Sequence, residues 1–525
     1  MKSPNPVINL GSCKITGRAV SFIHHLPQRY VRRNIVEGTE TILVGRTFRG
    51  EMHDVDGNYI AIRCSGKDSY HIDRDMFGSI PLYYSLNKRV ITTDMRALVP
   101  GRFDQLNLGG VSEYIACAFT SLGRTIYDDV SILRPDETIS VVDGTIKVAK
   151  KAAYFSPEII EGNLEELLES ALEKSILNLA QEAGERLILN LSGGNDSTLI
   201  LALLKKVAKD LAIHSTTFFH SDWREDFNDW HYAEIASKKY GTQHSLVTIE
   251  NKAFEQAHRN LLSSAQNVFH TYAVAFFMQN LAMDKVDADA PIVNGSGPDE
   301  TMIGTEKIPV ADLVSMNQLS RKEWIEYALN ARDYIKIPES EAAYLINQGG
   351  EGFLDQRLQL AEELIKSENF VEFQRRFHSM LILQDHICEL SQVAAVVGRP
   401  IFFPFLTNDM FTIIFGRSFN DLNKGAVYKS AVKNILLKYM DAPFVYRHKI
   451  GFQSPSRNYF MSKAGFGREM QELLYRNRSK VLDLPKVRDA VSTRLSDEFS
   501  TTKRYDFVEW AVFNMLRLEA LIERR

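Results

Sequence analysis

The chain is 525 residues long, 45% hydrophobic and 24% charged, with a formal net charge of −4. That length predicts two or three domains with ample apolar material for packed cores, and the slight negative balance excludes a global attraction to nucleic acid or anionic membrane. Four cysteines, Cys13, Cys64, Cys117 and Cys388, stand far apart without a CxxC pair, which is the usage of reduced thiols rather than of a zinc site or a disulfide framework.

The opening MKSPNPVINLGSCK lacks the apolar centre of a secretion signal. Runs such as AVAFFM (273–278) fall short of the about 20 residues that a bilayer requires. The expectation is a cytoplasmic globular protein, with neither nucleic acid nor membrane among its partners.

Up to about residue 150, short β-rich runs alternate with Gly, Asp and Asn: NYIAIRC, SYHID, RVITTD, TISVV, and TIKVA after the turn DG. This texture predicts antiparallel sheet. From about residue 160 the rhythm changes. LEELLESALEKSILNLA has helical spacing, LILNL is a short buried strand, TLILALLKKVAKDLA is helical and IHSTTFF is a strand. DWHYAEIASKKY follows as a helix closed by Gly241, then HSLVTI as a strand. Strands and helices alternating at this interval predict βαβ units and a parallel sheet. Beyond about residue 310 the pattern is helical, as in RKEWIEYALNARDYI and FVEFQRRFHSMLILQDHICELSQVAAVV, with loops at KIPES (336–340) and QGGEGF (348–353).

The stretch LILNLSGGNDSTLI (187–200) sets two glycines between a strand and a helix. A turn at Gly193 and Gly194 aims successive backbone N–H groups at one point, to which the helix adds its positive end. Ser192 and Ser197 supply hydroxyls, and Asp196 supplies a carboxylate suited to Mg²⁺. These residues make a pyrophosphate cradle, but not the GxxxxGK[ST] loop, since the spacing is shorter and the lysine is missing.

SGGNDS resembles the SGGxDS loop of the N-type ATP pyrophosphatases, and further segments resemble the asparagine synthetases and their relatives. DRDMFGSIPLYY (73–84) and TTDMRALVP (92–100) are similar to the family's RDxxGxxPLYY and SExKAL segments, and TIYDDVSILRPDETISV to its L-x-PG strand pair. VNGSGPDETMIG (293–304) resembles the GxGxDExxxG loop, while YKSAVKNIL and YRHKIGFQSP resemble the family's late lysine helix and its RxKxGF loop. The resemblance implies an α/β protein of two parts. Residues 1–155 would be a degenerate Ntn-type (glutaminase-like) antiparallel β domain without catalysis. Residues 156–525 would be a PP-loop synthetase domain, adenine nucleotide α hydrolase-like, with a helical C-terminal region.

It also implies a reaction: a carboxylate attacks the α-phosphate of ATP, releases pyrophosphate, and the acyl-adenylate is taken by an amine to give an amide and AMP. ATP would lie on Leu191, Ser192, Gly193, Gly194, Asn195, Asp196 and Ser197 and on Gly295 and Gly297. Mg²⁺ would be held by Asp196 and Asp299. Lys429 and Lys449 match the family's two lysines that neutralise phosphate and the developing oxyanion, and Arg447 stands two residues before the second.

Departures from the family narrow the substrate. Lys2 stands where the glutaminase has its N-terminal cysteine, Cys13 is internal, and the segment before VDGNYIAI is short, so in-house ammonia production is not expected. Among branches that use another amine, the β-lactam synthetases pair a tyrosine with a glutamate. Here Ser296 takes the tyrosine position, and Glu389, in CELSQVAAVVGRPIFFPF, is the residue resembling the glutamate. An α-amine with a pKa of about 7.7–8.0 needs little help from a base. Lasso-type macrolactam formation on a peptide is therefore expected, with a companion protease or leader-binding protein as partner. The alternatives are β-lactam or other small-molecule amide synthesis from a carboxylate substrate, an ammonia-using asparagine synthetase, and, from another class, a non-catalytic regulatory nucleotide binder.

Overall fold

A computed structural model describes residues 21–24, 26–36, 39–48, 55–65, 69–99, 105–152, 154–157, 159–220, 229–283, 290–303, 315–330, 335–347, 349–364, 366, 369–424, 427–448, 466–476, 478–496 and 504–523. The first part holds β1 (Ser21–Ile23), β2 (Val31–Val36), β3 (Thr39–Phe48), β4 (Asp56–Cys64), β5 (Tyr70–Arg74), β6 (Tyr83–Ser85), β7 (Val90–Thr92), β8 (Ser131–Ile132), β9 (Glu137–Val142) and β10 (Thr145–Lys150). They form two sheets among the described residues, ordered β1-β7-β6-β8 and β10-β9-β5-β4-β3-β2. Helix α1 (Leu108–Cys117) lies between β7 and β8 in sequence. Pairing is antiparallel except for β1, which runs parallel to β7. The antiparallel texture is thus present, but split into two sheets, and β1 to β3 were not foreseen. VRRNIV in β2 carries adjacent arginines on an edge strand, so it shows no alternation to read. Central β4 is instead buried along nearly its whole length, as a strand covered on both faces must be.

The second part runs α2 (Leu164–Glu182), β11 (Arg186–Asn190), α3 (Asn195–Val207), β12 (Ala212–His220), α4 (Trp230–Tyr240), β13 (Gln243–Ile249), α5 (Asn251–Ala265), α6 (Thr271–Ala282) and β14 (Ile292–Val293), with β15 (Ile401–Phe402) joining much later. These strands pair in parallel in the order β13-β12-β11-β14-β15. The architecture is therefore mixed α/β: antiparallel sheets, then a parallel sheet, then a helical C-terminal part. Strand β15 spans only two residues, too few for a period to reveal.

In the helical part, α7 (Phe370–His378) and α8 (Gln384–Val397) are joined through a wide π-helical turn at Ser379–Leu383. The resulting stretch, Phe370–Val397, is long and apolar enough to cross a bilayer, but 67% of its most apolar window is buried inside the protein, as in a core helix. After α9 (Asn408–Phe415) and α10 (Ser430–Leu436), helices at Phe466–Leu474, Leu484–Ser496 and Arg504–Glu523 complete the described chain.

The two parts are latched by the start of β4, through Asp56 and Asn58. Asn58 Nδ2 donates to the Leu406 carbonyl at 2.7 Å, and its Oδ1 accepts from Phe403 N at 3.0 Å. Asp56 accepts the N–H groups of Asn408 at 2.6 Å and Asp409 at 3.2 Å. It thereby satisfies orphan donors at the start of α9 and meets the positive end of that helix. Arg46, fully buried in β3, donates to the Ser175 carbonyl of α2 at 2.6 Å.

Candidate active site

Strand β11 ends at Asn190 and β14 at Val293. Both loops that follow therefore open at the carboxyl edge of the parallel sheet, where open α/β sheets present their ligand sites. Gly193 has φ +81°, and a Cβ there would lie 2.3 Å from the Asp229 carbonyl oxygen, so the turn admits only glycine. Gly194 caps α3, which opens with Asn195, Asp196 and Ser197. Ser192 Oγ accepts from Gly194 N at 3.2 Å and lies 3.2 Å from Ser197 Oγ. Leu191 N donates to the Thr216 carbonyl at 2.9 Å, which carries the pairing of β11 with β12 one residue into the loop.

The second loop is drawn against the first. A Cβ on Gly295 would stand 3.1 Å from Ser197 N, closer than an ordinary van der Waals contact. Ser296 Oγ and N both donate to Asn294 Oδ1, at 2.7 and 2.9 Å, so this serine is engaged in shaping the loop. Gly297 N donates to Glu300 Oε2 at 3.0 Å. Asp299 then opens a wide π-helical turn over Asp299–Ile303. Ser379, at the wide turn between α7 and α8, donates Oγ to the Glu300 carbonyl at 3.0 Å. Two irregular turns thus support each other at the mouth of the sheet, where such turns are frequently found beside functional groups.

Lys429 closes the constellation. It is buried, with 6% of its surface exposed. Its Nζ donates to Asp196 Oδ2 at 2.7 Å and also to Asp299 Oδ1. Asp196 and Asp299, far apart in sequence, therefore face one point. The lysine backbone has φ +51°, a left-handed conformation that costs a non-glycine residue roughly 1–2 kcal/mol. Asn423 holds it there. Its Oδ1 accepts Lys429 N at 2.7 Å, while its Nδ2 donates to the Met302 carbonyl at 2.8 Å in the turn bearing Asp299. Asn423 gives no signal in the sequence, because its link to the Asp299 turn, through the Met302 carbonyl, reaches a distant segment.

Behind the first loop, Arg447 Nη2 donates to the Gly193 carbonyl and Nη1 to the Phe444 carbonyl at 3.0 Å. Its guanidinium lies 4.0 Å over the Tyr232 ring, and burial lowers its pKa from the usual arginine value. Asn195 Nδ2 donates to the Val445 carbonyl at 3.0 Å. Arg447 thus braces the glycine turn from behind. Lys449 lies outside the described residues.

Glu389 sits elsewhere, on α8. Its Oε1 accepts His270 N at 2.8 Å, and burial pushes its pKa up to about 7. Asp385, one turn earlier, is raised well above the usual carboxylate range by burial and by Glu389. Both line a cavity of about 50 Å³, with Tyr83, Tyr114, Ser121 and Asn267. The structure brings Ser192, Gly193, Asp196, Ser197, Gly295, Asp299 and Lys429 together, but gives Glu389 different partners.

The donor set at the two loops fits a hard divalent cation. Two carboxylates converge on one cationic group, and Asp196 Oδ1 is buried without a hydrogen-bond partner. Oxygen donors of this kind suit Mg²⁺ when a nucleotide supplies the remaining ligands. Among the described residues no group of three or more His, Cys, Asp or Glu is arranged to hold a metal alone.

Comparison with known proteins matches residues 37–154 to a glutamine amidotransferase domain and residues 167–521 to the asparagine synthase family. No curated protein matches. Among solved structures, an NH3-dependent NAD synthetase from Campylobacter jejuni subsp. jejuni NCTC 11168, in complex with the nitrate ion, aligns at 15% identity and a TM-score of 0.22, covering 28% of this chain and 62% of its own. A glutamine-dependent NAD+ synthetase from Acinetobacter baumannii, in complex with ADP, aligns at 13% identity and a TM-score of 0.22, covering 49% of this chain and 52% of its own. Under two thirds of either solved chain is spanned. The family match, by contrast, begins within α2, ends in the last described helix and takes in more than half of the chain: the protein belongs to the asparagine synthase family.

Proposed function

We propose that the protein joins a carboxylate to an amine, using ATP to form an acyl-adenylate and releasing pyrophosphate and AMP. The convergence of Asp196, Asp299 and Lys429 beside the SGGNDS turn carries this reading. The loop N–H groups and the start of α3 would hold the phosphates. Ser192 and Ser197 would add hydroxyl contacts, and Lys429 would offset developing negative charge. Asp196 and Asp299 would hold Mg²⁺, which supplies charge neutralisation on the phosphates when bound. This second part would be a PP-loop synthetase domain over residues 156–525, and Lys449 would be a second cation toward the reacting groups.

The nitrogen would come from an amine of the substrate. In the first part, burial pushes the Cys117 thiol up to about 12, so it is not an activated nucleophile of the glutaminase kind; Cys13 lies outside the described residues. Residues 1–155 would then serve as a structural Ntn-type domain. Ser296, turned onto Asn294, is not placed as a base, which favours an α-amine that needs none. Intramolecular macrolactam formation on a peptide fits best, with a protease or leader-binding protein acting alongside. A β-lactam-type or other small-molecule synthetase is the second reading. Glu389 favours it, because a carboxyl held near 7 is tuned for base catalysis.

Substrate-dependent exchange of labelled pyrophosphate into ATP tests the chemistry. Peptides with a free N-terminal amine and an internal Asp or Glu should support exchange and lose one water in mass. ADP and phosphate as products would overturn adenylation, and exchange supported only by small carboxylates would overturn the peptide reading.

A further inference from the structure

We propose that Lys429 is a resident cation that keeps divalent metal out of the Asp196–Asp299 pair until nucleotide arrives. This rests on the reading of those two aspartates as metal ligands. The ammonium donates to Asp196 Oδ2 at 2.7 Å and to Asp299 Oδ1, one oxygen from each loop. Two carboxylates brought together in a buried setting repel each other unless a cation stands between them, and the Lys429 ammonium stands there. A divalent ion held by the same pair would meet a positive charge at contact distance. Ammonium and metal therefore compete for the pair.

The lysine is built into this position rather than resting there. Its backbone takes the left-handed conformation at φ +51°. Asn423, itself 2% exposed, ties that backbone to the turn carrying Asp299 through bonds of 2.7 and 2.8 Å. The anchor of the lysine and the loop of one aspartate are thus held by one amide. Asp196 Oδ1 meanwhile stays buried and unpartnered, a carboxylate lone pair that the ammonium leaves unused. A polyphosphate entering the cradle offers the lysine a stronger anionic partner. The side chain can move to it on its four methylenes, leaving both carboxylates for the metal. Metal loading is thereby made conditional on nucleotide, and the empty protein is protected from stray divalent ions.

Mn²⁺ is the probe, with the free ion counted by electron paramagnetic resonance. Without nucleotide, the wild-type protein should bind Mn²⁺ at least about tenfold more weakly than Lys429→Met. Lys429→Gly, which tolerates the positive φ, should match Lys429→Met and so control for strain in the fold. Adding a non-hydrolysable ATP analogue to the wild type should create a tight Mn²⁺ site that Asp196→Asn removes. Equal Mn²⁺ affinity of nucleotide-free wild type and both variants would overturn the gate while leaving the ligand reading intact. Analogue-dependent Mn²⁺ binding that is indifferent to Asp196→Asn would overturn the ligand reading, and the gate with it.

Discussion

Lys429 carries two burdens that substitution separates. Its side chain offsets two carboxylates, and its backbone sits where a Cβ is strained. Lys429→Ala and Lys429→Gly should both reduce pyrophosphate release by a factor of about 10² or more, since both remove the cation. Glycine relieves the left-handed strain, so Lys429→Gly should be about 1 kcal/mol more stable than Lys429→Ala in urea titration. Equal stabilities would show that the strain is absent. Glu389 makes a prediction of another kind. Its carboxyl is raised from 4.5 to about 7 by burial, so the folded protein holds the proton more tightly than the unfolded chain. The stability this contributes is present below about pH 4.5 and is lost as the pH rises through about 7. Glu389→Gln should flatten the fall in melting temperature across that window. An unchanged slope would place the Glu389 titration elsewhere.

At the scale of elements, the strand–turn–helix from β11 to α3 is legible in sequence because each piece has a local cause. LILN is short and apolar, Gly193 supplies the positive φ, and α3 follows with helical spacing. What the sequence hides is the packing that makes Gly193 obligatory. The Asp229 carbonyl at the start of α4 occupies the space of its missing Cβ. Gly193→Ala should therefore displace the loop from α4 and weaken nucleotide binding at least about tenfold, measured by titration calorimetry, since misaimed N–H groups no longer converge. Retained affinity would show that the loop can slide past Asp229. The wide turns at Asp299–Ile303 and Ser379–Leu383 were not legible. The helical period of FVEFQRRFHSMLILQDHICELSQVAAVV continues through the second, where Ser379 Oγ bonds both the Arg375 carbonyl of its own helix and the distant Glu300 carbonyl.

At the scale of the molecule, Asn58 joins the two parts by satisfying both the N–H of Phe403 and the carbonyl of Leu406. Asn58→Ala leaves these buried groups unpaired and should cost roughly 2–4 kcal/mol. Hydrogen exchange should accelerate in residues 403–409 and 56–60 together, and acceleration on one side alone would mean that the latch does not couple them. The sequence by itself determined the mixed α/β class, the change of texture near residue 160 and the glycine turn before α3, because period, turn chemistry and strand length are local properties. The segments resembling asparagine synthetases likewise led to the family that the match over residues 167–521 shows. Only the tertiary structure decided that the N-terminal strands split into two sheets, that Asp196 and Asp299 share the Lys429 ammonium, that Arg447 braces Gly193 from behind, and that Glu389 is bonded to His270. Each of these depends on contacts between segments distant in sequence, whose distances are fixed by how sheets and helices pack rather than by the residues that flank them.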